Sequence, residues 1–192
     1  MHRIFCILLF VFLSACGGGA EDGVPAPFSS AMHCGVITGN ERISGLVTSV
    51  HDGDTITVNG QTIRLNSLDA PELEQAFGQA SRDLLAALVQ GQRVTVTYAK
   101  KDLYDRVLGT VFKTDCTQVN LSQVRWGAAW YYEAYKCEID ARQRTAYAGA
   151  QAAAQAGAVG LWAAPAVAPW VYRNGVEAKV PAACPNGDAP SL

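Results

Sequence analysis

The segment DTITVNGQTIRL, residues 54–65, carries the strongest local folding signal in the chain. Two short runs rich in Val, Ile and Thr flank the dipeptide NG, which suits the positive φ angles of a two-residue hairpin turn. In the second run Ile63 and Leu65 share one face, so Arg64 lies on the opposite face. We therefore predict a β-hairpin that presents Arg64 outward rather than burying it.

Three further runs, ISGLVTSV, RVTVTY and VLGTVF, have the composition and alternation of strands. Apolar residues recur every three to four positions from Leu73 to Leu88, which predicts an amphipathic helix that stops at Gly91. A short helix is predicted within NLSQVRWGAAW, and an Ala-rich helix from Ala141 to Ala156. This order of elements favours a small closed β-barrel with helices, an α+β fold, over an open βαβ sheet.

The N-terminal residues 1–15 are typical of an export signal. The basic residue Arg3 precedes an apolar run, Ile4 to Leu13, which is too short for the ~20 residues of a membrane span but suits a signal peptide. The ending LSAC resembles a bacterial lipobox, in which Cys16 becomes the lipid-modified first residue. We expect an exported protein, lipid-anchored to the bacterial cell envelope on the periplasmic or outer-membrane side. An ordinary signal peptide and secretion are the alternative.

The remaining chain divides by composition into three parts. Residues 16–42 form a Gly-rich tether and N-terminal extension, and residues 43–165 form the folded domain. Residues 166–192 are Pro-rich, and we expect them to be extended. The 192 residues suffice for one ordinary domain, which we expect to be a monomer.

Four cysteines remain in the mature chain: Cys34, Cys116, Cys137 and Cys184. An even number in an oxidising compartment predicts two disulfides, with three possible connectivities. We favour Cys116 with Cys137, and Cys34 with Cys184. A zinc site is the competing interpretation, but the sequence has no C-x-x-C spacing and its three His are scattered.

The charge balance excludes a strongly basic DNA-binding protein. The net charge is −2, and removal of residues 1–15 leaves 14 basic and 17 acidic residues. Non-specific DNA binders are normally strongly basic. Any nucleic acid must therefore be bound through local geometry rather than through net charge.

Carboxylates and guanidinium groups collect at the ends of the predicted hairpin. Asp54 begins its first strand and Asp69 follows its second, so both return to one edge of the sheet, where they can hold a hard divalent cation. Arg64 and Arg106, from a distant turn, can clamp a phosphate. Glu72 is left to activate water. Phosphodiester hydrolysis needs this set of a cation, cationic clamps and a base.

Each motif taken alone also has a structural interpretation. DGD is common in turns that precede a strand. Asp69 followed by Glu72 just before an apolar helical run has the form of a capping box. Tyr104-Asp105-Arg106 by itself indicates a solvated turn with a weak ion pair. The combination of all these motifs favours the catalytic interpretation.

At these residues the sequence resembles the staphylococcal nuclease (thermonuclease-like) family. The motifs DGDT, IRLNSLDAPE and DLYDRVLG occur in the family's order and at close to its spacing, followed by VRWGAAW and GLW. The resemblance extends over roughly residues 45 to 165. It implies a five-stranded OB-fold barrel with about three α-helices, and Ca²⁺-dependent hydrolysis of DNA and RNA that leaves 3′-phosphate ends.

The resemblance also implies a role for individual residues. Asp54, Asp69 and the backbone carbonyl of Ala70 would be metal ligands. Arg64 and Arg106 would stabilise the charge that develops on the phosphoryl group, and Glu72 would be the general base.

Two departures from the family pattern bear on activity. Asp105 stands where the best-known member has Gly, which could misdirect Arg106 or pair with it. Leu103 replaces a phosphate-contacting Lys. We therefore expect weaker and more salt-sensitive substrate binding than in the basic prototype. Tyr104 is the aromatic residue that we expect to contact the substrate. The main alternative function is a non-catalytic OB-fold lipoprotein that binds nucleic acid.

Overall fold

Alternating Val, Ile and Thr residues build the sheet at the centre of this protein. We describe residues 41–184 of a computed structural model. The strands within this range are β1 (Glu41–Val50), β2 (Thr55–Val58), β3 (Gln61–Leu65), β4 (Leu68–Asp69), β5 (Arg93–Lys101), β6 (Val107–Lys113) and β7 (Trp130–Tyr131).

Five of these strands form a closed barrel in the order β1-β2-β3-β6-β5, and β5 pairs back to β1. Neighbouring strands of the barrel pair antiparallel, except that β3 pairs with β6 in parallel, with Ile63 opposite Val107. One face of each strand points inward, and the interior is filled by fully buried residues such as Val47, Ile56 and Val96. The predicted five-stranded α+β barrel is confirmed.

The hairpin of β2 and β3 forms at the predicted dipeptide. Asn59 and Gly60 have φ angles of 50° and 78°, and Thr55 pairs with Arg64. Arg64 lies on the outer face of the barrel as predicted. Its side chain, however, is only 16% exposed, because polar groups from the following segment surround its guanidinium.

The helices are α1 (Gly78–Val89), α2 (Val119–Arg125), α3 (Ala141–Ala156) and α4 (Pro169–Asn174), with 3-10 segments at Glu133–Glu138 and Gly160–Ala163. Helix α1 begins later than its apolar pattern predicted. A turn from Glu72 to Gln75 precedes it, and Phe77 has a left-handed φ of 68°. Helix α4 lies in the Pro-rich segment that we expected to be extended. Strands β4 and β7 were not predicted, because two-residue strands show no periodicity.

Buried amides on α2 connect the helices to the loops around the barrel. Gln123 donates from Nε2 to the carbonyl of Gly53 at 2.8 Å, while Asn120 accepts from the backbone N–H of Val111 at 2.9 Å. Both side chains are fully buried. The bond from Gln123 holds the bend that ends in Asp54, because a buried carbonyl left without a partner is costly.

The favoured disulfide pairing is wrong. Cys137 is bonded to Cys184, with their Cα atoms 5.2 Å apart. Cys116 is disulfide-bonded as well. Its partner is not Cys137, because Cys137 is already bonded to Cys184. The cause of the error is the C-terminal segment, which returns to the 3-10 segment Glu133–Glu138.

The predicted signal peptide of residues 1–15, Cys16 and Cys34 lie outside the described residues. Within residues 41–184, no helix has the length and apolar character needed to cross a membrane.

Replacement of Gly53 tests the tight packing of the bend before Asp54 against Ser81 and Ala70. A Cβ at this position would overlap Oγ of the buried Ser81 and stand 2.6 Å from Cβ of Ala70. We expect Gly53→Ala to lower the free energy of unfolding by about 1–3 kcal/mol. A matched Gly149→Ala variant, at an open position in α3, should raise it by about 0.5–1 kcal/mol. Urea denaturation compares them, and equal effects would contradict the packing argument.

Candidate active site

A cleft of about 500 Å³ opens on the outer face of the barrel beside β3. The barrel connectivity creates it, because the parallel pairing of β3 with β6 brings the turn before β6 next to Arg64. Arg64, Asp69, Tyr104, Arg106 and Arg173 are among its lining residues.

Arg64 joins the two predicted metal ligands. Its Nε lies 3.0 Å from Oδ1 of Asp54, and its Nη2 donates to Oδ1 of Asp69 at 2.7 Å. Nη1 donates to the carbonyls of Leu65 and Leu68 at 2.7 and 3.0 Å. The two carboxylates thus face the same positive group.

Asp54 is buried and held on several sides. Its Oδ2 accepts from the N–H of Ala70 at 2.7 Å, and its Oδ1 accepts from the hydroxyl of Thr55 at 3.1 Å. Asp52 performs the turn function expected of a DGD motif, because its Oδ1 accepts from the N–H of Asp54. Burial raises the pKa of the Asp54 carboxyl to about 7, although the positive charge of Arg64 acts in the opposite direction.

Asp69 and Glu72 do not cap a helix. Asp69 lies in β4, Glu72 lies in the following turn, and α1 begins only at Gly78 without a side-chain cap. Asp69 is 1% exposed. Both oxygens of Asp69 are contacted by guanidinium groups, Oδ1 by Arg64 and Oδ2 by Nη2 of Arg173 at 2.6 Å. The capping-box interpretation is therefore wrong.

Glu72 is linked to the cluster by Arg173, whose Nη1 lies 2.5 Å from Oε1 of Glu72. The side chain of Glu72 is 37% exposed, so water can reach it. Asp54, Arg64, Asp69 and Glu72 thus belong to one chain of ion pairs.

Arg106 is held by Asp102 and not by its neighbour Asp105. Its Nε donates to Oδ2 of Asp102 at 2.8 Å, and its backbone N–H donates to Oδ1 at 3.0 Å. Partial burial acts to raise the pKa of Asp102, but these hydrogen bonds and the one from the Tyr104 N–H lower it. Within residues 41–184, no group accepts a hydrogen bond from Nη1 or Nη2 of Arg106. Its outer edge therefore remains available to a ligand.

Asp105 has a left-handed φ of 60°, a conformation that Gly adopts without strain and Asp tolerates. Its carboxylate pairs with Lys101 at 2.8 Å. The concern that it captures the guanidinium of Arg106 is not borne out by these contacts.

Aromatic side chains extend the cleft beyond the charged groups. Tyr104 is 81% exposed and lies with its ring centre 5.5 Å from the guanidinium carbon of Arg106. Tyr132 and Tyr135 also line the cleft. Leu103, at the tip of the same turn, is fully exposed. This part of the surface offers flat rings beside a positive charge, an arrangement that suits stacked bases.

Sequence reasoning missed Arg173. It lies in α4, within the segment that was assigned to a C-terminal extension outside the catalytic domain. Its helical spacing from Trp170 was a weak signal, since residues three apart share a helix face. Nothing in the sequence indicated that this face turns towards Asp69.

The acidic groups fit a hard divalent cation such as calcium. Asp54 and Asp69 converge on one positive group, and carboxylate oxygens are the ligands that calcium prefers. Among the described residues there is no cluster of three or more His, Cys, Asp or Glu side chains with metal-binding geometry. Backbone carbonyls and water would supply the other oxygens. Ala70 is buried beside Asp54, and its backbone carbonyl is the one predicted to bind the cation.

Comparison with known proteins places the chain in a family. The profile of the family described as "Staphylococcal nuclease homologue" matches residues 62–164, more than half of the 192 residues. The chain belongs to the staphylococcal nuclease family. The matched segment contains Arg64, Asp69, Glu72 and Arg106. Asp54 precedes the matched segment and forms an ion pair with Arg64.

Several bacterial relatives within the family are similar over most of their length. An "Uncharacterized endonuclease" of Escherichia coli is 42% identical over 144 residues, covering 69% of this chain and 86% of the relative. A "Micrococcal nuclease" of Shigella flexneri is 41% identical, covering 68% and 80% respectively. An "Uncharacterized endonuclease" of Haemophilus influenzae is 37% identical, covering 64% and 68%.

The buried carboxyl of Asp54 predicts a pH-dependent stability. Its folded-state pKa of about 7 exceeds the ordinary 3.8, so the folded state retains a proton that the unfolded chain releases. The free energy of unfolding then falls as pH rises between these values. Asn cannot titrate, so the free energy of unfolding of Asp54→Asn lacks this fall. In calcium-free buffer, we expect the free energy of unfolding of the variant minus that of wild type to increase by on the order of 2 kcal/mol from about pH 5 to about pH 8. Urea denaturation at both pH values measures this, and a constant difference would contradict it.

Proposed function

We propose that the protein is a calcium-dependent nuclease that hydrolyses phosphodiester bonds of DNA or RNA and leaves 3′-phosphate ends. Membership of the staphylococcal nuclease family, and 41–42% identity to proteins named as nucleases, support the nuclease activity. The observation that carries the proposal is the ion-pair cluster in which Arg64 joins Asp54 to Asp69 beside Arg106.

The chain's own residues divide the work of hydrolysis. Glu72, accessible to water, accepts a proton from the attacking water molecule. The oxygen of that water bonds to phosphorus as the bond from phosphorus to the 5′ oxygen breaks. The leaving 5′ oxygen takes a proton from solvent water, and the phosphate remains on the 3′ side. Arg64 and Arg106 donate hydrogen bonds to the phosphoryl oxygens as negative charge develops there.

Asp54, Asp69 and the carbonyl of Ala70 would hold calcium. When bound, the ion neutralises developing charge on the phosphoryl group and polarises nearby water. The carboxylates of Asp54 and Asp69 supply the negative charge that attracts it. Tyr104 would stack against a base or sugar next to the cleaved bond.

The location of the protein is part of this proposal. The signal peptide of residues 1–15 and lipidation of Cys16 would place it, as a monomer, on the bacterial cell envelope. The motif LSAC and the Gly-rich residues after it support this placement.

Cleavage assays with matched variants test the catalytic assignment. With calcium, we expect the oxidised protein to cleave single-stranded DNA or RNA, and EGTA to abolish cleavage. Glu72→Gln and Arg106→Ala should each lower kcat by about 10²–10⁴. Arg125→Ala, at an exposed position of α2 outside the cleft, is the control and should remain active.

Analysis of the product ends completes that test. Phosphatase treatment should make the 3′ ends extendable by a polymerase. A folded wild type that binds DNA without cleaving it would instead favour the non-catalytic binding protein.

The turn before β6 yields a separate prediction. Asp102 holds Arg106 through two hydrogen bonds, whereas Asp105 pairs with Lys101. We expect Asp102→Ala to lower kcat/KM by about tenfold or more, since a mispositioned guanidinium loses its hydrogen bonds in the transition state. Asp105→Gly should retain activity, because its φ suits Gly. The reverse order of effects would mean that Asp105 positions Arg106.

A further inference from the structure

The C-terminal strap, defined as residues 164–184, leaves the barrel after Gly160–Ala163 and crosses the edge of the cleft. Helix α4 occupies its middle. The helix begins with Pro169 and ends at Gly175, which has a left-handed φ of 70°. Trp170 and Arg173 are three residues apart and lie on the same side of the helix, where both contact the site.

Besides the ion pairs of Arg173, the strap is held by a hydrogen bond, by aromatic packing and by a disulfide. Gln75 donates from Nε2 to the carbonyl of Val167. The ring of Trp170 packs on Trp130 and Tyr132, with centroids 5.5 and 5.2 Å apart. The disulfide from Cys184 to Cys137 closes its far end.

Between α4 and that disulfide the strap buries little surface. Val176 and Val180 are 65% and 48% exposed, and residues 175–184 contain no helix or strand. Segments with few buried contacts open at low free-energy cost. Residues 175–184 can therefore open at low free-energy cost. Release of Arg173 from the cleft also requires its guanidinium, whose side chain is 38% exposed, to leave its carboxylate partners.

Arg173 takes the acceptors that a cation would use. Its Nη2 contacts Oδ2 of Asp69 at 2.6 Å and its Nη1 contacts Oδ1 at 3.4 Å, while Nη1 also pairs with Glu72. Since Arg64 contacts Oδ1 of Asp69 as well, both oxygens of this carboxylate face guanidinium groups. A guanidinium carries only donors and one positive charge, so it resembles a bound cation in charge and position.

We propose that the strap is an autoinhibitory element in which Arg173 competes with calcium for Asp69 and occupies Glu72. Calcium must displace Arg173 from Asp69, and Glu72 must part from Arg173 before it can take a proton from water. This inference rests on the proposed calcium site. The apparent calcium affinity then equals the intrinsic affinity multiplied by the fraction of molecules in which the strap is open.

Calcium titration of the full mature chain tests the proposal. The dissociation constant is measured by isothermal calorimetry and by the calcium-induced rise in Tm, for wild type, Arg173→Gln and the control Arg125→Gln. We expect Arg173→Gln to bind calcium at least fivefold more tightly, and the control to match wild type. Equal or weaker calcium binding by Arg173→Gln would overturn the proposal.

A second variant opens the strap without changing Arg173. In Cys137→Ser/Cys184→Ser the C-terminal end of the strap is no longer tethered by the disulfide. We expect this double variant, like Arg173→Gln, to bind calcium more tightly than wild type. The near-ultraviolet circular dichroism of each variant in EGTA reports whether the barrel is folded. If both folded variants bind calcium as wild type does, the strap does not compete with the ion.

Parallel DNA cleavage separates this proposal from the proposed function. Tighter calcium binding by Arg173→Gln with no cleavage by any protein would support the strap and refute the nuclease. Calcium-dependent cleavage with unchanged calcium affinity, and a raised KM for DNA, would make Arg173 a substrate contact and overturn the strap. Failure of every protein to bind calcium would overturn the competition itself.

Discussion

The ion pairs of Arg64 with Asp54 and Asp69 are the interaction on which the rest of the site depends. Two buried carboxylates near one another repel, and removing each from water costs several kcal/mol. The guanidinium between them offsets part of this cost, while the raised pKa of Asp54 shows that it does not offset all of it. Carboxylates buried this close together are electrostatically unfavourable without a counterion, and the protein supplies guanidinium groups for that purpose.

The closed barrel makes that arrangement possible. The parallel contact between β3 and β6 sets the turn of Arg106 beside Arg64, although the two arginines are 42 positions apart in the chain. The buried amides of Gln123 and Asn120 then tie α2 to the carbonyl of Gly53 and to the backbone N–H of Val111 in β6. The candidate catalytic groups thus lie on short segments that are anchored to the barrel and to α2.

The acidic net charge of the chain does not describe its cleft. Basic side chains from several elements line it: Arg64, Lys100, Lys101, Arg106 and Arg173. The last of these comes from the C-terminal strap, so the charge of the cleft depends on where that segment lies. Leu103 replaces a lysine of the family pattern, but these basic side chains keep the surface around it locally positive. The local arrangement of charges therefore outweighs the overall charge.

Much of the fold could be predicted from local patterns. The NG dipeptide, the alternation of Val and Ile, and the Ala-rich run are short-range signals, so the five barrel strands, the hairpin and helix α3 follow from them. The start of α1 and the two-residue strands β4 and β7 could not be predicted, because backbone pairing and a left-handed Phe77 decide them.

The sequence by itself determined which residues collect at the hairpin ends and that they resemble a known nuclease site. The tertiary structure decided how those residues are paired. Arg64 is largely enclosed by its carboxylate and carbonyl partners, Asp102 rather than Asp105 holds Arg106, and Cys137 bonds to Cys184. It also brought Arg173 to Asp69 across 104 positions. The physical reason is that turns and strands arise from neighbours in the chain, whereas ion pairs and disulfides join groups that only the folded chain brings within reach.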